Sequence, residues 1–203
     1  MINKQSAYEL AVWQAKALPA QDQSLIVNQT NQALASLAGF QTRTIFQSVS
    51  NPQLLFDWVE WDNADNAKSA AQQMMSIPEL KAFVGLIDKT LVFEHYRLSD
   101  AHQLTYANGS TTELVVYQLA AEVEASEFQN RYSYHLSKQA GYQGRYLLEN
   151  TKGDNQWAEL VFWENEPAAV AASKALGDIP EMGELLRGVK EAPMVHQYFK
   201  KFV

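Results

Sequence analysis

Cysteine is missing from the 203-residue sequence, which excludes disulfides, thiolate nucleophiles and cysteine-ligated zinc or iron–sulfur clusters. Long apolar runs are missing too, since no window approaches the roughly 18 uninterrupted apolar residues that a membrane span needs. The first ten residues, MINKQSAYEL, lack the apolar stretch of a secretory signal. We therefore expect a protein of the cytoplasm that has no membrane partner.

Positive charge is scarce as well, because 16 Lys and Arg stand against 23 Asp and Glu, for a formal net charge of -7. No cluster of basic residues forms a stripe, and an acidic chain repels phosphate backbones, so nucleic acid is not expected as a partner. Apolar side chains are abundant. Hydrophobic residues make up 47% of the sequence, with nine Tyr, nine Phe and five Trp, which predicts a well-packed core.

The sequence resembles itself at an offset of 102 residues. Residues 39–98 align with residues 141–200 without a gap, and twelve of those 60 positions are identical. The phrase Ile77-Pro78-Glu79, for example, returns as Ile179-Pro180-Glu181. We interpret this similarity as an internal duplication. The predicted domains are a first repeat at 1–98, a polar, turn-rich linker at 99–111 and a second repeat at 112–203.

Each repeat carries the same succession of patterns, from which seven elements are predicted in the first. The strands are Tyr8–Leu18, Phe40–Val49, Leu54–Asp62 and Leu91–Tyr96, and the helices are Gln21–Ala38, Asn63–Met75 and Glu79–Asp88. With the last two helices counted together, the order β-α-β-β-α-β is that of a ferredoxin-like unit, whose helices cover only one face of its sheet. Two repeats in one chain can bury their bare faces against each other. The predicted fold class is α+β, with two ferredoxin-like repeats forming a pseudo-twofold barrel. That barrel would be a self-contained pseudo-dimer, with further homodimerisation left open.

The pattern resembles the dimeric α+β barrel superfamily, and within it the antibiotic-biosynthesis monooxygenases. The resemblance rests on a strand that ends in Trp, an acidic residue and Asn before an Ala-containing helix: WDNADNAKSA at 61–70 and WENEPAAVAA at 163–172. The segment IPELKAFVGLID and the closing strand LVFEHY complete it. The superfamily includes quinone-forming oxygenases, haem-degrading enzymes, stress-response proteins and members without known chemistry, so the resemblance implies a fold more specifically than an activity.

One departure from the resemblance bears on cofactors. Many oxygenase-like relatives carry a His on the helix after the Trp, whereas residues 63–75 and 165–176 contain none. Haem ligation is therefore not expected. The sequence also lacks His pairs at metal-binding spacing and the HExxH, GxSxG, GxGxxG and P-loop patterns. We expect neither a metal nor another cofactor.

Alternate residues of a barrel strand point into the lumen, and we predict that the charge-bearing registers line it. The ligand-binding candidates are Glu9, Trp13, Arg43, Asp57, Trp61, Glu94 and Tyr96 in the first repeat and Glu113, Tyr117, Glu159 and Trp163 in the second; the catalytic candidates are Arg145, His196 and Tyr198. In this alignment Glu94 and Tyr96 correspond to His196 and Tyr198.

Each candidate also has a structural interpretation. Arg43 with Asp57, and Arg145 with Glu159, could anchor an anionic ligand or could hold the register of their hairpins. Trp61 could stack on a planar ligand or close the core against the following helix. His196 could act as a general base near pH 7, although a lone His needs a second group for chemistry.

Two functional hypotheses follow from these residues and the resemblance. The first is a cofactor-independent, monooxygenase-like oxidoreductase that acts on an aromatic or quinol-type molecule in the lumen. In it Arg145 or Arg43 polarises an oxygen, and His196 with Tyr198 moves a proton. The second is a non-catalytic or stress-related barrel protein that binds a small hydrophobic or anionic molecule. The missing helix His favours the second hypothesis, and the aromatic content suits both.

Overall fold

The computed structural model describes residues 6–17, 22, 25–102 and 109–202. These residues contain eight β-strands, six α-helices and one π-helical turn at Leu25–Gln29. The strands are β1 Ala7–Ala15, β2 Phe40–Ser48, β3 Leu54–Trp61, β4 Ile87–His102, β5 Thr111–Gln118, β6 Tyr142–Asn150, β7 Gln156–Trp163 and β8 Val195–Lys201. The helices are α1 Thr30–Ala35, α2 Ala64–Gln73, α3 Pro78–Gly85, α4 Ala125–Leu136, α5 Glu166–Gly177 and α6 Pro180–Leu186. None of these described helices has the length and hydropathy of a membrane span.

The chain divides into two compact units. The first unit runs up to Leu98 and takes in the C-terminal residues from Lys201, while the second unit is Ser99–Lys200. Strand β4 continues to His102, into the segment predicted as a linker, and the remainder of that segment between 103 and 108 lies outside the described residues. Ladder hydrogen bonds use only backbone groups, so a strand can run on through polar side chains such as Asp100.

Each unit contains a four-stranded antiparallel sheet with its own strand order. In the first unit β1 lies between β3 and β4, and β2 pairs with the outer side of β3. In the second unit β5 lies between β7 and β8, and β6 pairs with the outer side of β7. The hairpins match in register, because Arg43 is opposite Val59 and Arg145 is opposite Val161.

The helices begin where the sequence supplies caps. The side chain of Asn63 accepts the backbone N–H of Asn66 at 2.9 Å, and Asn165 accepts that of Ala168 at 2.9 Å. These bonds satisfy donors that the first turns of α2 and α5 would leave unpaired. A Pro occupies the first turn of α3 and of α6, where a missing N–H costs nothing.

The prediction that the charge-bearing registers line the lumen is wrong. Val59 and Trp61 pack with Ala67 of α2 and Leu80 of α3, and Val161 and Trp163 pack with the corresponding helices of the second unit. The candidates in those registers therefore face the helices of their own unit and not the opposite side of the sheet. They are Glu9, Trp13, Arg43, Asp57 and Trp61 in the first unit and Glu113, Tyr117, Arg145, Glu159 and Trp163 in the second.

The error has a physical reason. The opposite register is apolar on the central strand of each unit and is buried there too: Leu10, Val12, Leu114 and Val116 are each 0% exposed. A sheet that is covered on both faces has no solvated side to mark the direction of its polar residues. Polar side chains are placed where hydrogen-bond partners exist, and the helices supply such partners, for example Ser133 of α4 for Arg145.

The predicted correspondence on the last strand of each unit is also wrong, by one residue. Glu9 pairs with His95, and its counterpart Glu113 pairs with Tyr198, so His95 corresponds to Tyr198. A one-residue shift moves every side chain to the other face of a sheet. Glu94 and Tyr96 therefore lie on the face of Leu10, away from the helices.

Gly141, just before β6, is a position where the fold requires glycine. Its φ is +79°, and an added Cβ would lie 2.6 Å from the Cβ of Ala168 on α5. We expect Gly141→Ala to lower the free energy of unfolding by about 2 to 4 kcal/mol, from left-handed strain plus overpacking. Urea denaturation measures this loss.

Gly153→Ala is the matched control, because Gly153 has a φ of +71° and nothing within 4 Å of an added Cβ. It pays the conformational cost alone, about 1 kcal/mol. Equal losses of unfolding free energy in the two variants would show that the close approach of Gly141 to α5 adds no cost of its own.

Candidate functional site

Glu113, on the central strand β5 of the second unit, is a buried carboxylate that joins two aromatic side chains. Its Oε2 accepts the indole N–H of Trp163 at 2.9 Å, and its Oε1 lies 2.7 Å from Nε2 of His196 on β8. Glu113 is only 7% exposed and Trp163 1% exposed. These contacts fix the carboxylate between the end of β7 and the start of β8.

The contact with Glu113 sets the chemistry of His196. A carboxylate can only accept, so Nε2 of His196 carries the proton and Nδ1 of the neutral ring keeps the lone pair. The hydrogen bond to Glu113 raises the pKa of His196 above its ordinary value of 6.5, and burial works against that rise. With its side chain 46% exposed, His196 is a proton acceptor held by a carboxylate on one side and open on the other.

A second buried network lies further along β5. Tyr117 donates to Oε1 of Glu159 at 2.7 Å and accepts from Gln129 of α4 at 2.6 Å. Arg145 donates to Oε2 of Glu159 at 3.2 Å and to the hydroxyl of Ser133. Burial, followed by the charge of Glu159, raises the pKa of Tyr117 well above 10, so its hydroxyl stays neutral.

Arg145 is the most deeply buried of the catalytic candidates, at 1% exposed. Burial is the largest single influence on its pKa and lowers it, but Glu159 and smaller charge interactions with its neighbours together raise the pKa above its ordinary value, so the guanidinium stays charged. Its partners are Glu159 and Ser133, with Asp100 at 4.0 Å. The bond to Glu159 agrees with the interpretation in which Arg145 holds the register of the β6–β7 hairpin, and the bond to Ser133 additionally ties that hairpin to α4.

Two cavities lie between this sheet and its helices. The larger cavity, of about 150 Å³, is lined by Glu113, Tyr132, Trp163, Ser173, Leu176 and His196, among others. The smaller cavity, of about 50 Å³, is lined by Tyr117, Phe128, Glu159, Val189 and Pro193. The two cavities adjoin, because Val115, Tyr132 and Leu186 line both. The larger one matches the size of an apolar cavity that accepts a benzene ring.

Tyr132 of α4 is a site residue that the sequence reasoning missed. It lines both cavities. Burial, followed by the charges of Glu159 and Glu113, raises its pKa well above 10. Among the described residues no group hydrogen-bonds its hydroxyl, which leaves a neutral donor at the junction of the cavities. Its spacing from Phe128 and Leu136, one helical turn on each side, marks the face of α4 that points to the sheet.

The first unit fills the equivalent space with side chains. Trp13 stands at the position of Tyr117, and its ring meets Phe83 of α3 edge-on at 5.2 Å. Arg43 bonds Asp57 at 2.8 Å and the carbonyl of Ile26 at 2.7 Å, and its guanidinium lies 4.9 Å from the centre of the Phe83 ring. This region is an apolar core around one buried ion pair.

The carboxylate of the first unit is less completely bonded than that of the second. Glu9 Oε2 lies 3.3 Å from Nε2 of His95. Within the described residues, however, neither of those atoms nor Nε1 of Trp61 has a hydrogen-bond partner of good geometry. The structure therefore assembles the carboxylate, indole and imidazole fully only in the second unit. Tyr198 contributes a ring 6.2 Å from that of His196.

The residues around the cavities do not fit a haem. A porphyrin is several times larger than the benzene-sized larger cavity, and α5, which covers it, carries no His. His135 of α4 is bonded to Glu181 at 2.9 Å, so it is not free to serve as an axial ligand. No group of three or more His, Asp or Glu suited to a metal ion occurs within the described ranges.

No protein-family model and no curated protein matches this sequence, whereas solved structures do. An anthrone oxidase-like protein matches with a TM-score of 0.71 and 11% identity, over 98% of this chain and 92% of its own. A chlorite dismutase variant from Candidatus Nitrospira defluvii gives 0.69 and 10%, over 100% and 93%. A monooxygenase-like protein from Listeria innocua gives 0.55 and 12%, over 100% and 98%.

The chain has the dimeric α+β barrel fold. The fold class and the resemblance predicted from the sequence are thereby confirmed. At identities of 10 to 12% the likeness establishes the fold of this α+β barrel protein and leaves its chemistry to the residues of its own site.

The role of Arg145 in the barrel protein can be separated from ligand binding by mutation. Arg145→Met leaves Glu159 charged and buried without its cation, so we expect unfolding to become easier by about 3 to 5 kcal/mol in urea denaturation. Arg131→Met is the control, because Arg131 pairs with Glu127 and Glu181 at the surface, where solvent screens the ion pairs and their loss should leave the stability close to unchanged. An Arg145→Met protein of unchanged stability would assign Arg145 to a ligand instead.

Proposed function

We propose that the second unit catalyses the cofactor-independent oxygenation of a small phenol or quinol by dioxygen. The observation that carries the proposal is the Glu113–His196 pair at the wall of the larger cavity. An imidazole held by a buried carboxylate is a positioned general base. The names of structural neighbours, an anthrone oxidase-like protein and a monooxygenase-like protein, point to the same class of reaction.

The first step is removal of a proton. Nδ1 of His196 takes the proton of the phenolic hydroxyl, and Glu113 stabilises the imidazolium that forms. The phenolate is electron-rich enough to react with dioxygen directly, so the protein needs to supply only the proton acceptor and a shaped cavity. Tyr132 can donate a hydrogen bond to the oxygen on which negative charge develops.

The remaining steps balance without a further reductant. The ring carbon para to the oxygen transfers two electrons to dioxygen and bonds to one of its atoms, which gives a hydroperoxide. Loss of water from this intermediate breaks the O–O bond and leaves a carbonyl. The net change is a phenol plus dioxygen to a quinone plus water. A quinol, whose para carbon already carries oxygen, reacts instead at a hydrogen-bearing ring carbon next to one of its oxygens and gives a hydroxyquinone plus water. His196 returns the phenolic proton to the peroxide as the hydroperoxide forms. It then takes the hydrogen of the attacked ring carbon as a proton and gives that proton to the departing hydroxide.

The cavity volume supports a substrate of one ring and a reaction without haem. A space of about 150 Å³ accepts a benzene-sized molecule, and a fused three-ring substrate would need the helices to move. Trp163 and Leu176 supply apolar walls for such a ring, and Glu113 and His196 supply the polar end. Arg145 is bonded to Glu159, so in this mechanism Tyr132, and not Arg145, donates the hydrogen bond to the substrate oxygen.

His196→Gln tests the base. We expect oxygen uptake with a panel of single-ring phenols and quinols to fall by about 10² to 10⁴-fold, while the Kd of each ring compound changes less than about threefold. An oxygen electrode and calorimetry give the two readouts. His95→Gln is the matched control, because His95 contacts the equivalent carboxylate of the first unit. Ring binding without oxygen uptake in the unaltered protein would support a non-catalytic binding protein.

The pH profile tests Glu113. The pKa of His196 lies above 6.5, and the neutral, basic form of the ring is lost as the pH drops through that pKa. We therefore expect kcat/KM to fall over the same pH range. Glu113→Gln removes the main cause of the upward shift and leaves the effect of burial, so the acid limb should move to lower pH, with a lower maximum rate. An acid limb that stays in place would remove His196 as the titrating group.

A further inference from the structure

The smaller cavity of the second unit offers fewer hydrogen bonds to a ligand than its lining residues indicate. It is walled by Val115, Phe128, Leu186, Val189 and Pro193, together with three polar residues, Tyr117, Tyr132 and Glu159. The polar groups of Tyr117 and Glu159 are already bonded within the wall. Oε1 of Glu159 accepts from Tyr117 and Oε2 accepts from Arg145, while the oxygen of Tyr117 accepts from Gln129.

These bonds limit what the cavity can hold. A polar ligand entering it would lose its hydration and would find only the hydroxyl of Tyr132 available among the polar groups of the wall, which is unfavourable. An apolar molecule loses nothing by the same move and gains contacts with the wall. The compartment therefore selects a small apolar ligand.

The size of the smaller cavity narrows the choice further. At about 50 Å³ it exceeds the space that a single water requires and falls well short of the roughly 150 Å³ that takes a benzene ring. It suits a diatomic molecule or a short substituent, and not a second ring.

Its position relates it to the reaction. The smaller cavity meets the larger one at Val115, Tyr132 and Leu186. A molecule in the smaller cavity would thus lie beside a ring in the larger cavity, with the free hydroxyl of Tyr132 next to both. Dioxygen in this position could bond to a ring carbon through one atom, and the hydroxyl of Tyr132 would be close to the other atom, on which negative charge develops.

We propose that the smaller cavity of the second unit is the dioxygen-binding compartment of this site. The proposal rests on the proposed oxygenase function for its chemistry, although occupancy by an apolar gas can be measured without turnover. Dioxygen waits in the compartment, one of its atoms bonds to the ring carbon and the other departs as water.

The first test is a crystal of the unaltered protein pressurised with xenon, an apolar probe of gas-binding cavities. Xenon is expected between Val115, Phe128 and Val189, and its absence from that position would overturn the proposal whether or not any phenol is turned over. Xenon in place with no oxygen uptake on any phenol or quinol would retain the gas compartment and reject the oxygenase.

The second test fills each cavity in turn. Val189→Phe blocks the smaller cavity and should raise the KM for dioxygen at least fivefold with the KM for the ring compound unchanged. Leu176→Phe fills the larger cavity and should do the reverse. Val189→Leu, a smaller change, should give an intermediate shift, which guards against a Phe variant that fails to fold.

One pattern of results would assign the compartment to a ring substituent instead. In that case Val189→Phe would raise the KM of para-alkylated phenols and leave both phenol itself and dioxygen unchanged. That outcome contradicts the proposal, because a dioxygen compartment affects every ring compound alike.

Discussion

A buried carboxylate needs hydrogen-bond donors from its neighbours, and this requirement organises the helix-facing side of the sheet in the second unit. Glu113 obtains its donors from Trp163 and His196, and Glu159 obtains them from Tyr117 and Arg145. Each carboxylate lies on a strand, while part of its network lies on another strand or on a helix. The helices are thus oriented over the sheet by polar contacts as well as by the apolar cluster beneath them.

The two units show how one framework supports two interiors. At the position where the second unit has Tyr117, the first has Trp13, which packs edge-on against Phe83 and occupies the space next to its ion pair. The tyrosine is smaller, and its hydroxyl binds Glu159 in place of filling volume. The cavities of the second unit lie beside it. Closely packed interiors lose stability when space is left empty, so these cavities come at a cost in stability to the second unit.

Much of the fold could be predicted from residue patterns. Asn63 caps α2 and Pro78 begins α3 in the first unit as their counterparts do in the second, because both effects depend on neighbouring residues alone. The pairing of Arg43 with Asp57 and of Arg145 with Glu159 was also among the alternatives foreseen, since it follows from hairpin register. The prediction that these pairs point into the lumen is wrong, because strands buried on both faces carry no local signal of which face meets the helices.

The sequence by itself determined the order of the elements, their caps and the residue types of a site, because these depend on short-range periodicity and backbone chemistry. Only the tertiary structure decided that the last strands of the two units are offset by one residue from the sequence alignment. Because of this offset His196 lies on the helix-facing side, whereas Glu94 lies on the opposite side. Only packing decided that Tyr132 reaches both cavities. Register shifts and helix docking are settled by contacts between distant segments, and these have no expression in the local pattern of either segment.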